Sequence, residues 1–317
     1  MEGQKRLFEI LKSQIKNYQL VDVVSELLDI SDDAAYRRIR GVTELSYSEL
    51  MKIARTYNLS IDNILGIDSP YRSLPFQLFN QDYFDLEAKD YRMATDYVAA
   101  IRVAGQHPKS EFGFASNIMP MHTMVLYSSI FRFFMLKWMY QFGGLEKAIP
   151  YDQVVIPAQL REVHVQYLSE IQKINYTYII YHEMSMQHLI HDIQFFHAIR
   201  LINDEGITEL KNCLKDMLDN LEWLINHGAY PETNNKIDIY VSGLNFETSY
   251  SYLLAGNTII AMIDAFTMGA VTSQDPPAGD FMLRWMNSMK RTSTLVTGSE
   301  KNRILFLEKQ RETLNKL

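Results

Sequence analysis

The chain has 317 residues, with 31 Lys and Arg against 38 Asp and Glu, for a formal net charge of −7. With 47% hydrophobic and 22% charged residues, 14 Gly and 9 Pro, the composition excludes a disordered or collagen-like chain and suits about two domains. A single cysteine, Cys213, excludes an internal disulfide framework and a cysteine-based zinc finger, and is compatible with a reducing cytosol.

Residues 1–6 are polar, which argues against a signal peptide. The most apolar stretch, 123–142, contains Arg132 and Lys137. Each would cost about 2.5–3.5 kcal/mol in a bilayer. The expectation is a buried helix, no membrane partner and a cytoplasmic location.

Residues 7–65 read as five short helices. Their stripes are Leu7, Leu11 and Ile15, then Val24, Leu27 and Leu28, then Leu50, Ile53 and Ala54, closing with Ile61, Ile64 and Leu65. Ser31 before Asp32 and Asp33 reads as an N-cap with acids suited to the helix dipole. Gly41 reads as a helix stop, and Ser46 with Glu49 has capping-box spacing. Ser69-Pro70 and Leu74-Pro75 break helices, so the expected division is 1–67, a linker over 68–81, and 82–317.

The larger part reads as mainly α. Long helical patterns cover 82–104, 120–141, 157–175, 176–201 and 207–227, with two more near 279–291 and 299–317, and favour a bundle. Residues 236–272 change character: Ile237, Ile239 and Val241 alternate with polar residues, and Gly256-Asn257 separates two β-rich runs. A small antiparallel meander is expected there.

Residues 20–65, LVDVVSELLDISDDAAYRRIRGVTELSYSELMKIARTYNLSIDNIL, carry the most information. This stretch resembles the helix-turn-helix of the lambda-repressor/Cro-like (XRE-type) DNA-binding regulators over about a fifth of the chain. Residues 24–28 match the first helix of the motif, and Ile30-Ser31 the entry to the recognition helix. Arg40-Gly41 match its end, and Leu50-x-x-Ile53-Ala54 with Leu59-Ser60-Ile61-Asp62-x-Ile64-Leu65 match the closing pair. Two departures stand out. Asp29 takes the place usually held by glycine in the sharp turn, and Asp tolerates left-handed backbone better than most residues. Ile39 stands one residue later than the family spacing, so the register of the recognition helix is open by one position.

What the resemblance implies is supported by the side chains. Ala35 and Ile39 share a face and can pack inward, leaving Tyr36, Arg37, Arg38 and Arg40 outward. Arginine suits bidentate contact to guanine or phosphate. Ser31, Asp33, Tyr36, Arg37, Arg38, Arg40 and Thr43 are the candidate DNA-contacting residues. Nine Lys and Arg against eleven Asp and Glu over residues 1–68 point to weak, salt-sensitive non-specific affinity.

Two further clusters occur. His182, His188, His191 and His197 fall in one expected helix with Glu183 and Asp192, and His164 is a further donor. No zinc-type spacing is present, and half-buried histidines without a metal are expected. Lys290, Arg291, Ser293, Thr294, Thr297, Ser299, Lys301 and Arg303 gather hydroxyls and cations about a helix N-terminus. They could hold an anionic effector, or only cap the helix. No nucleophile elbow or dinucleotide fingerprint is present. The sequence therefore reads as a non-enzymatic, cofactor-free transcriptional regulator that binds double-stranded DNA as a homodimer and carries a sensing or dimerisation domain. The alternative is a scaffold module whose helix-turn-helix no longer binds DNA.

Overall fold

A computed structural model describes residues 2–15, 20–57, 59, 61, 74, 76–79, 88–119, 126–143, 149–265 and 269–317. The chain divides into two compact units, 1–75 and 76–317.

In the first unit, α1 (Glu2–Gln14), α2 (Leu20–Leu28), α3 (Asp32–Ile39) and α4 (Tyr47–Thr56) enclose Leu7, Phe8, Leu11, Leu20, Val24, Ala35 and Ile53. The local signals work as written. Ser31 Oγ accepts from Ala34 N, and Ser46 and Glu49 close a reciprocal capping box. Asp29 adopts φ 57° and Gly41 φ 73°, so both corners of α3 use left-handed backbone. The fifth helix expected near 60–65 lies outside the described residues, apart from Ile61.

The second unit corrects the mainly-α, all-α expectation. It is mixed α/β, built on an eight-stranded sheet in the order β1-β7-β6-β5-β2-β3-β4-β8. The strands are β1 (Gln77–Phe79), β2 (Ser110–Ser116), β3 (Tyr176–His182), β4 (Lys236–Ser242), β5 (Tyr250–Ala255), β6 (Thr258–Ala265), β7 (Gly269–Ser273) and β8 (Thr294–Leu295). Strands β2, β3 and β4 are parallel neighbours, while β5, β6 and β7 continue antiparallel from β2. The Gly256 hairpin joins β5 to β6 with φ 61°. The expected small meander is thus half of a large sheet, and the expected linker contains edge strand β1.

The cause of the misreading lies in β3. Tyr-Thr-Tyr-Ile-Ile-Tyr-His is buried on both faces from Thr177 onward, so it lacks the alternation of a half-buried strand. Such runs are typical of parallel sheets and resemble buried helix segments in periodicity.

The helices are α5 (Ala88–Gly105), α6 (Ser128–Gly143), α7 (Ala158–Ile171), α8 (Ser185–Ala198), α9 (Asp204–His227), α10 (Pro276–Thr292) and α11 (Glu300–Leu314). They cover the sheet instead of forming a bundle. Phe112, Phe114, Ile179, Tyr181, Ile237, Ile239 and Leu253 on one face pack in a single core with side chains of α5–α9 and α11. Ala115, Tyr178, Ile180, Tyr252 and Ala261 on the other face pack with Met282, Met286 and Met289 of α10. Helix α6 contains most of the apolar run at 123–142, and its Arg132 and Lys137 pair with Glu209 and Asp192. Among the described residues no helix is long and apolar enough to cross a membrane.

Gly113 in the central strand permits a close approach of rings. A Cβ there would lie 2.5 Å from Tyr252 Cε1 and 2.6 Å from Tyr178 Cζ. Gly113→Ala is expected to destabilise the protein by about 1–3 kcal/mol through overpacking. Urea denaturation measures this, and unchanged stability would contradict the packing.

Candidate functional site

Helix α3 is held from three sides. On α1, Gln4 Nε2 donates to the carbonyls of Arg38 (2.7 Å) and Thr43 (2.8 Å), while its Oε1 accepts from Leu45 N. On α4, Glu49 Oε1 lies 2.8 Å from Arg38 Nη2, with both side chains less than one-fifth exposed. Ala35 enters the core from below. Gln4 and Glu49 are positioning residues not singled out among the candidate site residues. The capping-box spacing gave Glu49 one role, and its ion pair with Arg38 is a second.

The candidate DNA-contacting residues separate into two groups. Ser31 is the N-cap, and Arg38 faces inward, its Nη1 also donating to Ala34 O. Tyr36, Arg37 and Arg40 lie exposed together on the outer side. Arg37 Nε lies 3.1 Å from Asp33 Oδ2 in a solvent-exposed i,i+4 pair, which contributes little to stability. Arg40 stacks over the Tyr36 ring and donates to its hydroxyl at 3.2 Å. Thr43, half-buried, follows in the loop. The outer face is therefore an aromatic ring flanked by two guanidinium groups, within reach of one ligand surface.

The histidines do not converge. His182 ends β3, and burial, reinforced by His188, pushes its pKa down. His188 stacks on it at 6.1 Å and its Nδ1 lies 3.2 Å from Asn117 O. His197 pairs with Asp204, Asp192 with Lys137, and Glu183 with Lys309. His164 packs against Phe131 with Nδ1 on Leu160 O. Among the described residues no group of three or more His, Cys, Asp or Glu could hold a metal ion.

Residues 290–303 are engaged separately. Ser293 Oγ donates to Met289 O, Thr297 Oγ1 accepts from Ile239 N, and Ser299 Oγ caps α11. Thr294 lies in β8, Arg303 Nη1 donates to Thr297 O, and Arg291 and Lys301 are exposed. Lys290 turns to the sheet. Its Nζ sits 4.1 Å from the Tyr178 ring centroid and 5.1 Å from that of Tyr176, and donates to Tyr176 Oη at 3.2 Å. Tyr176 in turn donates to Asp238. Burial lowers the Lys290 pKa. Ser293 and Ser299 thus bond backbone close to them, Thr297 bonds the backbone of β4, and Lys290 is committed to a tyrosine cluster.

A cavity of about 460 Å³ opens on the face of the sheet that α7 and α9 cover. Its floor is formed by β2, β3 and β4 through Phe112, Thr177 and Ile239, and its walls by α7 and α9 through Ile171 and Leu224. Asn220 and Trp223 stand exposed at its rim. Among the described residues that line it, none carries a charged side chain. Two lining residues carry buried polar atoms with no hydrogen-bond partner, Thr177 Oγ1 and Gln172 Oε1. The sequence reading missed this cavity, because its lining comes from segments far apart along the chain.

No protein-family model, curated protein or solved structure matches this chain.

Proposed function

We propose that this protein is a sequence-specific DNA-binding transcriptional regulator acting as a homodimer, with α3 as its recognition helix. The observation that carries the reading is the outer face of α3. Tyr36, Arg37 and Arg40 are presented on a short helix whose inner side, loop and cap are all fixed. A helix so held suits the major groove, where arginine recognises guanine edges and phosphates. Exposed Asp33 neutralises part of this charge, so affinity would depend on the fit to bases more than on general attraction.

One such helix covers a single half-site, and useful affinity calls for two about one DNA turn apart. The larger unit is the proposed dimerisation and sensing domain. Phe281 and Trp285, one turn apart on α10 and both more than one-third exposed, support an apolar interface there. The test is recovery of bound genomic fragments with the full chain, followed by nuclease footprinting and light scattering. Two protected half-sites about one helical turn apart and a dimer are expected. A monomer that remains so with DNA present, or recovery of no preferred sequence, would contradict the reading. A scaffold role gains weight from Val42 and Tyr47, which are 74% and 77% exposed near α3, and would give the second of those results.

A further inference from the structure

We propose that the cavity over β2, β3 and β4 binds a small, uncharged, mostly apolar molecule that carries a hydroxyl or amide group. The inference concerns the larger unit alone and does not depend on DNA binding.

Its volume, about 460 Å³, lies within the range of small-molecule sites, roughly 300–1,000 Å³. The lining is dominated by aliphatic, aromatic and methionine side chains, with polar groups few and placed singly. That is the pattern of a ligand site whose apolar walls supply affinity and whose polar groups fix orientation. The described residues of the lining carry no charged side chain, which selects against ions, since a buried charge without a partner is strongly disfavoured.

The polar atoms specify the remainder. Thr177 is fully enclosed, yet its hydroxyl oxygen has no hydrogen-bond partner, and the Gln172 side-chain oxygen is in the same condition. Native interiors rarely leave such atoms unpaired. Tyr230, also in the lining, does not resolve this. Burial pushes its phenol pKa well above the ordinary range and the Thr177 hydroxyl only partly offsets this, without closing a hydrogen bond of normal geometry to Thr177 Oγ1. Both oxygens are closed to solvent, so a ligand that donates to Gln172 and exchanges a hydrogen bond with Thr177 satisfies both through a small shift of the lining. A hydroxyl or a primary amide can do so, whereas a pure hydrocarbon cannot, and a carboxylate would bring an unpaired charge.

The neutral fluorophore N-phenyl-1-naphthylamine, titrated into the full chain, provides the first readout. Saturable binding of about one molecule per chain is expected. Displacement by 1-decanol should be about tenfold or more stronger than by decanoate, which has the same chain length and a charge. Leu224→Trp, which occupies the cavity, should weaken probe binding about tenfold or more. Thr177→Val keeps the side-chain volume and removes the hydroxyl. It should weaken 1-decanol about fivefold to tenfold while raising the thermal midpoint of the ligand-free protein. Circular dichroism establishes that each variant is folded, and if Leu224→Trp is not, Thr177→Val decides alone. Absence of saturable probe binding by the folded wild-type chain would overturn the proposal. So would unchanged affinities in the folded variants, or equal displacement by decanol and decanoate.

Discussion

Replacing Arg38 with alanine is expected to lower the stability of the first unit by about 2–3 kcal/mol, whereas Arg37→Ala, one residue away, should change it by no more than about 0.5 kcal/mol. Arg38 and Glu49 form a mostly buried pair at 2.8 Å. Removing one partner of a buried pair costs about 3–5 kcal/mol when the other charge is left alone. Glu49 keeps its bond to Ser46 N at 2.8 Å, which moderates the loss. Burial by itself would raise the Glu49 pKa, but hydrogen bonds from Arg38 and Ser46 outweigh it and hold the carboxyl below its usual 4.5. The pair's contribution is therefore present above pH 4.5 and fades as pH falls through the lower folded value. Arg37 instead makes an exposed pair with Asp33, and its removal should cost about 1–3 kcal/mol of specific DNA affinity. Chemical denaturation and operator titration of the two variants separate these roles. Equal stability losses would contradict the assignment.

Asp264→Asn is expected to stabilise the protein near neutral pH by about 2–4 kcal/mol and to flatten its pH dependence. Asp264, half-buried, lies near the end of β6, at the end of the sheet where the Ser116 and Ser249 hydroxyls meet at 2.8 Å. Burial raises its pKa from 3.8 to about 7, only partly opposed by a hydrogen bond with Ser249. Between those two values the folded protein holds a proton that the unfolded chain releases. Stability should therefore fall as pH rises from about 4 to about 7 and stay at the lower level above that. Asparagine retains the shape without the charge. Urea midpoints at pH 4.5 and 7.5 for wild type and variant measure the difference, and parallel slopes would contradict the burial of this carboxyl.

Both variants concern groups whose surroundings only the fold reveals, and legibility follows the range of the interactions. Ser31, Gly41, Ser46 and Glu49 act on backbone atoms within four residues of themselves, so their roles stood in the sequence. The Gly256 hairpin was readable for the same reason. Strand β3 was not, because its pairing partners β2 and β4 come from 60 or so residues on either side. Lys290 reads as one of the cations gathered about a helix N-terminus, because nothing local shows that Tyr176 and Tyr178 will meet it. The outward triad Tyr36, Arg37 and Arg40 was legible from helical spacing. The inward course of Arg38 was not, since it depends on a carboxylate eleven residues later on another helix.

The most direct test of DNA recognition through α3 is a gel-shift titration of the full chain on its most enriched genomic fragment. A scrambled fragment of equal length serves as control, at about 50 and 200 mM salt. Wild-type protein should bind the enriched fragment about a thousandfold or more tightly than the control. Arg37→Ala should lose about tenfold or more of that preference with its fold intact. Equal affinity for the two fragments at both salt concentrations, or an unaltered preference in the folded Arg37→Ala protein, would contradict recognition through α3.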